Sequence, residues 1–315
     1  MKYRTLGRTN MSVSALALGT VELGLDYGIP VPGHFKRPAE CAAVALVHAT
    51  LEAGINFFDT ARTYGESEAV LGRALQGRRS RAVLATKVAL HLPDGSIPTG
   101  EKLRLHMLES LETSLRMLQT NHVDIWQIHN VDAAILKQRE TIASVFDEVR
   151  DSGKIRATGG SFYGAALPEQ ALGFDLFDVI QVSYSVFDQR LADRVLPLAN
   201  KKNVGVMVRS VLLKGALTEH AEHLPDRLET LRARSRQYRR VVAESGSGLT
   251  PAQAAIAFAL AQPQIGAVLV GIRSLEELKE NLPALTSPLA APFEKQLRSL
   301  RLDDESLLNP GTWGI

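Results

Sequence analysis

Short β-rich runs alternate with longer helix-period segments eight times along this chain, and that alternation restricts the fold more than any other feature. The runs are residues 15–18, 56–59, 83–87, 123–129, 157–161, 179–184, 205–210 and 267–271. Several are apolar without polar alternation, as parallel strands buried on both faces require. Amphipathic segments fill the gaps at 37–53, 68–75, 100–117, 141–151, 168–172, 192–200, 251–261 and 275–285. In the third of these, Leu103, Met107, Leu111 and Leu115 recur every four residues and build one helix face. No composition break marks a linker. The pattern predicts an α/β fold, a single (β/α)8 TIM barrel over residues 1–315. A doubly wound sheet with a second domain is the competing architecture, but no GxGxxG follows the first strand. Two segments lie outside the eightfold count. Residues 1–14, with KYRTL and MSVSA flanking a turn, predict an N-terminal β-hairpin placed to plug the N-terminal end of the barrel. Residues 218–248 make a long charged loop after the seventh strand, whose RARSRQYRR reads as a solvated helix face and not an anion patch.

Charge excludes one class of partner. The chain of 315 residues has 36 Lys and Arg against 34 Asp and Glu, without the basic excess of a nucleic-acid binder. No run approaches the ~18 apolar residues of a membrane helix, and the apolar stretch 13–18 is short and interrupted by Ser14. The single cysteine, Cys41, excludes an intramolecular disulfide. The expectation is a cytoplasmic protein without a membrane partner. Nothing in the sequence fixes an oligomeric state.

In a barrel of this kind reactive groups belong at the C-terminal ends of strands and in the loops that follow. The second run ends in Asp59, and Tyr64 follows five residues later; the third ends in Lys87 and the fourth in His129. Each has an ordinary structural role open to it: a helix cap, a rim aromatic, a solvated strand end, a satisfied core histidine. All four on one rim of three consecutive strands point instead to carbonyl reduction. A free tyrosine has a pKa of about 10. A nearby ammonium lowers it, and a carboxylate beyond the lysine keeps that lysine charged. A neutral imidazole can donate to a carbonyl and orient it.

These residues stand in motifs that resemble the aldo-keto reductase family. GINFFDTARTYGESEAVLG matches the family's signature of an aspartate and a tyrosine followed by glycine, and the resemblance runs from KYRTLGRTNMSVSALALGT to KENL. It implies Tyr64 as general acid beside Asp59, Lys87 and His129, no catalytic metal, and NADPH bound extended across the barrel mouth. Gly19 and Thr20 end the first strand beside that cofactor. The resemblance gives Ser161 and Gln181 to the nicotinamide carboxamide, with Phe162 where asparagine is frequent. Arg209 occupies the ring-stacking position; it either stacks on the ring and disfavours its oxidised form, or points at an anionic substrate. Ser210, Leu212 and Gly215 follow for the pyrophosphate, with Lys214 as a charge partner. Gly271 opens the adenosine-binding turn, and the free N–H groups of a helix beginning near Ser274 offer an anion site. Arg273 suits a 2′-phosphate, with Glu277 expected to hold its guanidinium in place. Glu280 and Asn281 match the adenine-binding pair. Arg273 favours NADP and Glu277 opposes it. NADP is the expected cofactor, with NAD the alternative.

The substrate expected is a small carbonyl compound or a sugar. Tyr64 and His129 would meet it, with Val21, Tyr27, His34, Asp26 and Asn130 as pocket walls and Trp313 covering the mouth. Two other activities compete: an NAD(P)-dependent sugar dehydrogenase, and a weakly catalytic nucleotide-binding regulatory subunit. The EHAEH stretch at 219–223 has histidines spaced for a metal but no third ligand type nearby, and reads as structural or solvated. Trp126, mid-strand, and Cys41, away from the mouth, read as packing and inert residues.

Overall fold

The hairpin forms where the sequence expects it. In the computed structural model, which describes residues 1–33 and 35–315, β1 (Tyr3–Thr5) pairs antiparallel with β2 (Ser12–Ser14). Its turn carries Gly7 at φ +51°, so close to the barrel that a Cβ would overlap the backbone nitrogen of Gly205. Only glycine meets both demands.

Eight parallel strands then close into one barrel: β3 (Leu16–Gly19), β4 (Phe57–Asp59), β5 (Val83–Ala89), β6 (Val123–His129), β7 (Ile155–Ser161), β8 (Val179–Ser183), β9 (Gly205–Arg209) and β10 (Ala267–Gly271). β10 closes the ring on β3, with Gly271 opposite Gly19. This is the (β/α)8 barrel that the alternation predicts. Element ends differ in places. The first long helix begins at Glu40, because Ala39 is extended before it. Residues 275–285 divide into a helix, Leu275–Asn281, and a 3-10 turn, Leu282–Leu285, where Pro283 cannot donate to a continuing helix.

Strand residues two apart share a face. Ala17, Phe57, Ala85, Ile125, Ala157, Val179, Met207 and Ala267 therefore form one apolar layer inside the barrel. Leu6, Met11 and Val13 of the hairpin segment pack onto it and seal that end. Outside, helices cover the other strand face. Helix Gly100–Met117 buries Leu103, Met107, Leu111 and Leu115, as their spacing requires. Trp126 meets Phe146 of helix Arg139–Asp151 edge-on at 5.7 Å, which makes it a packing residue.

The charged segment after β9 contains helix Glu229–Glu244, which buries Leu231, Tyr238 and Val242. Arg236 and Arg239 both pair with Glu222, and Arg232 pairs with Asp226 and Glu229. Three of its arginines are thus matched by its own carboxylates. Among the described residues no group of three or more His, Cys, Asp or Glu is placed to hold a metal ion. No helix among them is long and apolar enough to cross a membrane.

Candidate active site

Two residues beyond the apolar layer, the inward face of the barrel turns polar. Asp59, Lys87, Gln127 and Gln181 are all buried there. Lys87 Nζ donates to Asp59 Oδ2 at 2.5 Å and to the Thr60 carbonyl at 2.9 Å. Asp59 Oδ1 accepts from Gln127 Nε2 at 3.0 Å and from Gln181 Nε2 at 2.8 Å. A buried ion pair persists only when its remaining polar atoms are satisfied, and the two amides do that. Gln127 escaped the sequence reading. Its signal was its place two residues before His129 on one strand, hence on the same face.

Tyr64 sits on the loop after β4. Arg62 donates its N–H to the Lys87 carbonyl at 3.2 Å, and its guanidinium pairs with buried Glu68. Glu68 also accepts from Thr86 Oγ1 at 2.6 Å, so β5 fixes the loop at two points. Lys87 Nζ lies 4.9 Å from the centre of the Tyr64 ring, and the His129 ring meets Tyr64 edge-on at 5.7 Å. Burial, helped by the charges of Lys87 and Arg209, pushes His129 down to about 3, so its imidazole is neutral near pH 7. Tyr64 departs from expectation. Burial first, then Asp59, raises its pKa above the ordinary tyrosine value. Of the nearby cations, Arg209 opposes that rise without overcoming it. Tyr64 is therefore a protonated phenol, able to donate. Burial lowers the proton affinity of Lys87 in turn.

A cavity of about 610 Å³ opens above this cluster. Tyr64, His129 and Asn130 line one end, with Asp59 and Gln181 in the floor. Gly19, Thr20, Val21 and Tyr27 line a side, and Arg209, Ser210, Leu212, Lys214 and Gly215 another. Gly271, Arg273, Glu277, Glu280 and Asn281 line the far end. Four expected site residues among those described are not on this wall. Lys87 lies beneath it, and Ser161 is fully buried, its Oγ without a partner. Trp313 is buried and donates its indole N–H to the Ser306 carbonyl at 3.2 Å, so it anchors the C-terminal segment and does not cover the mouth. Asp26 is exposed and accepts from the Arg37 N–H at 2.8 Å, away from the pocket. His34 lies outside the described residues.

Contacts within the lining hold Arg209 in place, and one at Arg273 departs from the sequence reading. Arg209 Nη1 donates to Ser183 Oγ at 3.0 Å and Ser210 Oγ at 3.2 Å, while Nη2 donates to the Phe162 carbonyl at 2.9 Å. Its guanidinium lies 3.9 Å from the centre of the Tyr163 ring. Position 162 thus serves the site only through its carbonyl, since its buried side chain packs edge-on against Phe177. The Arg273 N–H, and not the expected guanidinium, donates to Glu277 Oε2 at 2.8 Å. Ser274 Oγ accepts from the Glu277 N–H at 3.2 Å. These local caps occupy amides that were expected to face an anion, because a carboxylate three or four residues on can fold back onto its own helix start.

Glu22 and Tyr163 are lining residues that the sequence reading missed. The Glu22 carboxylate rests against Gly271, where a Cβ would overlap it, and its Oε2 is buried without a partner. Burial pushes Glu22 up to about 7. Its signal was an acid three residues past the end of an apolar strand.

The donor set fits a nicotinamide dinucleotide. The unpartnered Ser161 hydroxyl stands in register with Gln181 of the cavity floor, a pair of polar groups suited to a carboxamide. Lys214 and Arg273 supply cations along the wall. The model of the aldo/keto reductase family matches residues 15–301. L-galactose dehydrogenase of Arabidopsis thaliana is 34% identical over 325 residues, spanning 98% of this chain and 92% of that protein. An uncharacterized oxidoreductase of Bacillus subtilis is 27% identical over 90% of this chain and 91% of its own length. The holo form of an aldo-keto reductase from Bacillus halodurans superposes with a TM-score of 0.77 at 27% identity, covering 95% of this chain and 96% of that one.

Proposed function

The chain belongs to the aldo/keto reductase family, oxidoreductases that reduce carbonyl groups, and from that premise we propose that it reduces a small aldehyde or ketone with NADPH, Tyr64 giving the proton. The observation that carries this reading is the buried Lys87–Asp59 pair at 2.5 Å beside a protonated Tyr64 and a neutral His129. The nicotinamide, when bound, supplies the hydride. The Tyr64 hydroxyl passes its proton to the carbonyl oxygen, and the Lys87 ammonium stabilises the phenolate that remains. The neutral His129 ring orients that oxygen. Asp59, held by Gln127 and Gln181, keeps Lys87 charged and in place. Ser161 and Gln181 serve the carboxamide, Lys214 the pyrophosphate, and Arg273 the 2′-phosphate. A cytoplasmic setting suits the exposed thiol of Cys41.

Replacing Tyr64 by Phe tests the reading. Reduction of an aldehyde and ketone panel should fall by about 10²–10⁴-fold, while NADPH affinity stays unchanged. Retention of the rate means that another group donates the proton. Arg273→Ala should weaken NADPH by roughly ten- to a hundredfold and spare NADH; a wild-type preference for NADH would assign cofactor choice to Glu277.

A second reading is favoured by the 34% identity to L-galactose dehydrogenase across almost the whole chain. The same residues run in reverse as a sugar dehydrogenase, with phenolate Tyr64 taking the hydroxyl proton. Tyr27, Asn130 and Tyr163 in the lining suit a hydroxylated substrate. Turnover of aldoses with NAD or NADP, and none of simple aldehydes, would establish it.

A further inference from the structure

Arg209 ends β9 in the cavity wall, and its surroundings hold it there. Three hydrogen bonds, to Ser183, Ser210 and the Phe162 carbonyl, fix the guanidinium, and the Tyr163 ring packs against it. Every one of these partners is neutral. Among the described residues no carboxylate pairs with it. The other cation, Lys87, is matched by Asp59. His129 and Tyr64 are uncharged, so among these groups one positive charge is in excess; the Glu22 carboxylate of the same cavity, pushed up to about 7, weighs less at Tyr64 than Arg209 does.

That charge lies near the reaction. It lowers the proton affinity of Tyr64, Lys87 and His129 alike, and at Tyr64 it outweighs Glu22. On the function proposed above, hydride and proton reach the two atoms of one carbonyl group. The nicotinamide must then lie within a few ångström of the Tyr64 hydroxyl, inside the field of Arg209.

We infer that Arg209 makes this site hold the reduced nicotinamide cofactor more tightly than the oxidised one. The reduced ring is neutral and the oxidised ring is a cation. During reduction a hydride, with its electron pair, goes to the carbonyl carbon, and the Tyr64 proton goes to the carbonyl oxygen. A positive ring and a negative phenolate form together, so Arg209 meets little net change. Once solvent restores the Tyr64 proton, only the positive ring remains beside Arg209, and the oxidised cofactor is expelled. The site thereby captures reduced cofactor even where the oxidised form is in excess. Tyr163 and the Phe162 carbonyl are the positioning groups that keep the cation in place.

The inference rests on the nicotinamide reading, and binding measurements separate the two. Fluorescence titration with NADPH and NADH, and competition with NADP⁺ and NAD⁺, give the ratio of oxidised to reduced dissociation constants without turnover. In wild type the ratio exceeds one. Two unit charges a few ångström apart at an effective dielectric of about 20 interact strongly enough that Arg209→Met should lower it by at least about tenfold. Arg209→Lys should preserve it. Arg209→Gln, which keeps a donor for the Phe162 carbonyl, replaces the methionine variant if that one does not fold. A structural role alone would weaken both forms equally and leave the ratio where it was, which overturns the inference. Wild-type protein that binds neither form overturns the nicotinamide reading itself.

Discussion

Glu22→Gln removes a charge from the cavity edge while keeping the shape of the side chain. The carboxylate rests on Gly271 with Oε2 buried and unpartnered. Burial raises its pKa from 4.5 to about 7, with Glu277 reinforcing the shift and Arg273 opposing it. Between those two pH values the folded protein binds this proton more tightly than the unfolded chain does. Stability from this group is therefore full below pH 4.5, falls as pH rises to about 7, and is level beyond. At about 1.4 kcal/mol per pH unit the total loss is about 3 kcal/mol. Glutamine cannot ionise, so the Glu22→Gln protein escapes it. Urea denaturation from pH 4 to 8, followed by fluorescence of the buried Trp126 and Trp313, measures both proteins. The difference between them should grow with pH, reaching about 3 kcal/mol in favour of the variant near pH 8. His129 works the other way: its pKa drops from 6.5 to about 3, so stability falls as pH decreases through that window. Both proteins share that contribution, and subtraction removes it. Parallel pH curves for the two proteins would show that Glu22 carries no buried charge and would refute the reasoning.

Lys87→Met strands the Asp59 carboxylate among two amides, and should cost about 3–5 kcal/mol in urea denaturation; adding Asp59→Asn should restore part of it, and no recovery would mean that lysine packing, not charge, was lost. Leu6→Ala empties a fully buried position in the plug, for which a loss of about 2–5 kcal/mol is expected. Cofactor affinity of that variant should be unchanged, since the plug closes the end of the barrel opposite the cavity; a parallel loss of affinity would show that the two ends are coupled.

The eight strands, the hairpin and the grouping of Asp59, Tyr64, Lys87 and His129 are legible in the chain, except that β5 runs two residues past Lys87 and buries it below the rim where the sequence reading ended the strand. The physical reason is local. Apolar runs, helix-period segments and strand ends are properties of neighbours in sequence, and a parallel barrel places every strand's C-terminal end on one rim. What stayed illegible was the choice of partner by side chains far apart in the chain. Asp59 takes its amide donors from Gln127 and Gln181, 68 and 122 residues away, which makes Gln127 part of the site. Arg209 finds a carbonyl 47 residues back, at the position where phenylalanine stands in place of the frequent asparagine. Trp313 and Asp26 turned to neighbouring backbone instead of the mouth, because an indole N–H and a carboxylate are satisfied as well by a nearby peptide group as by a substrate. The direction of the Tyr64 shift is likewise out of reach, since it depends on burial and on the nearness of Asp59, and only the closed barrel sets both.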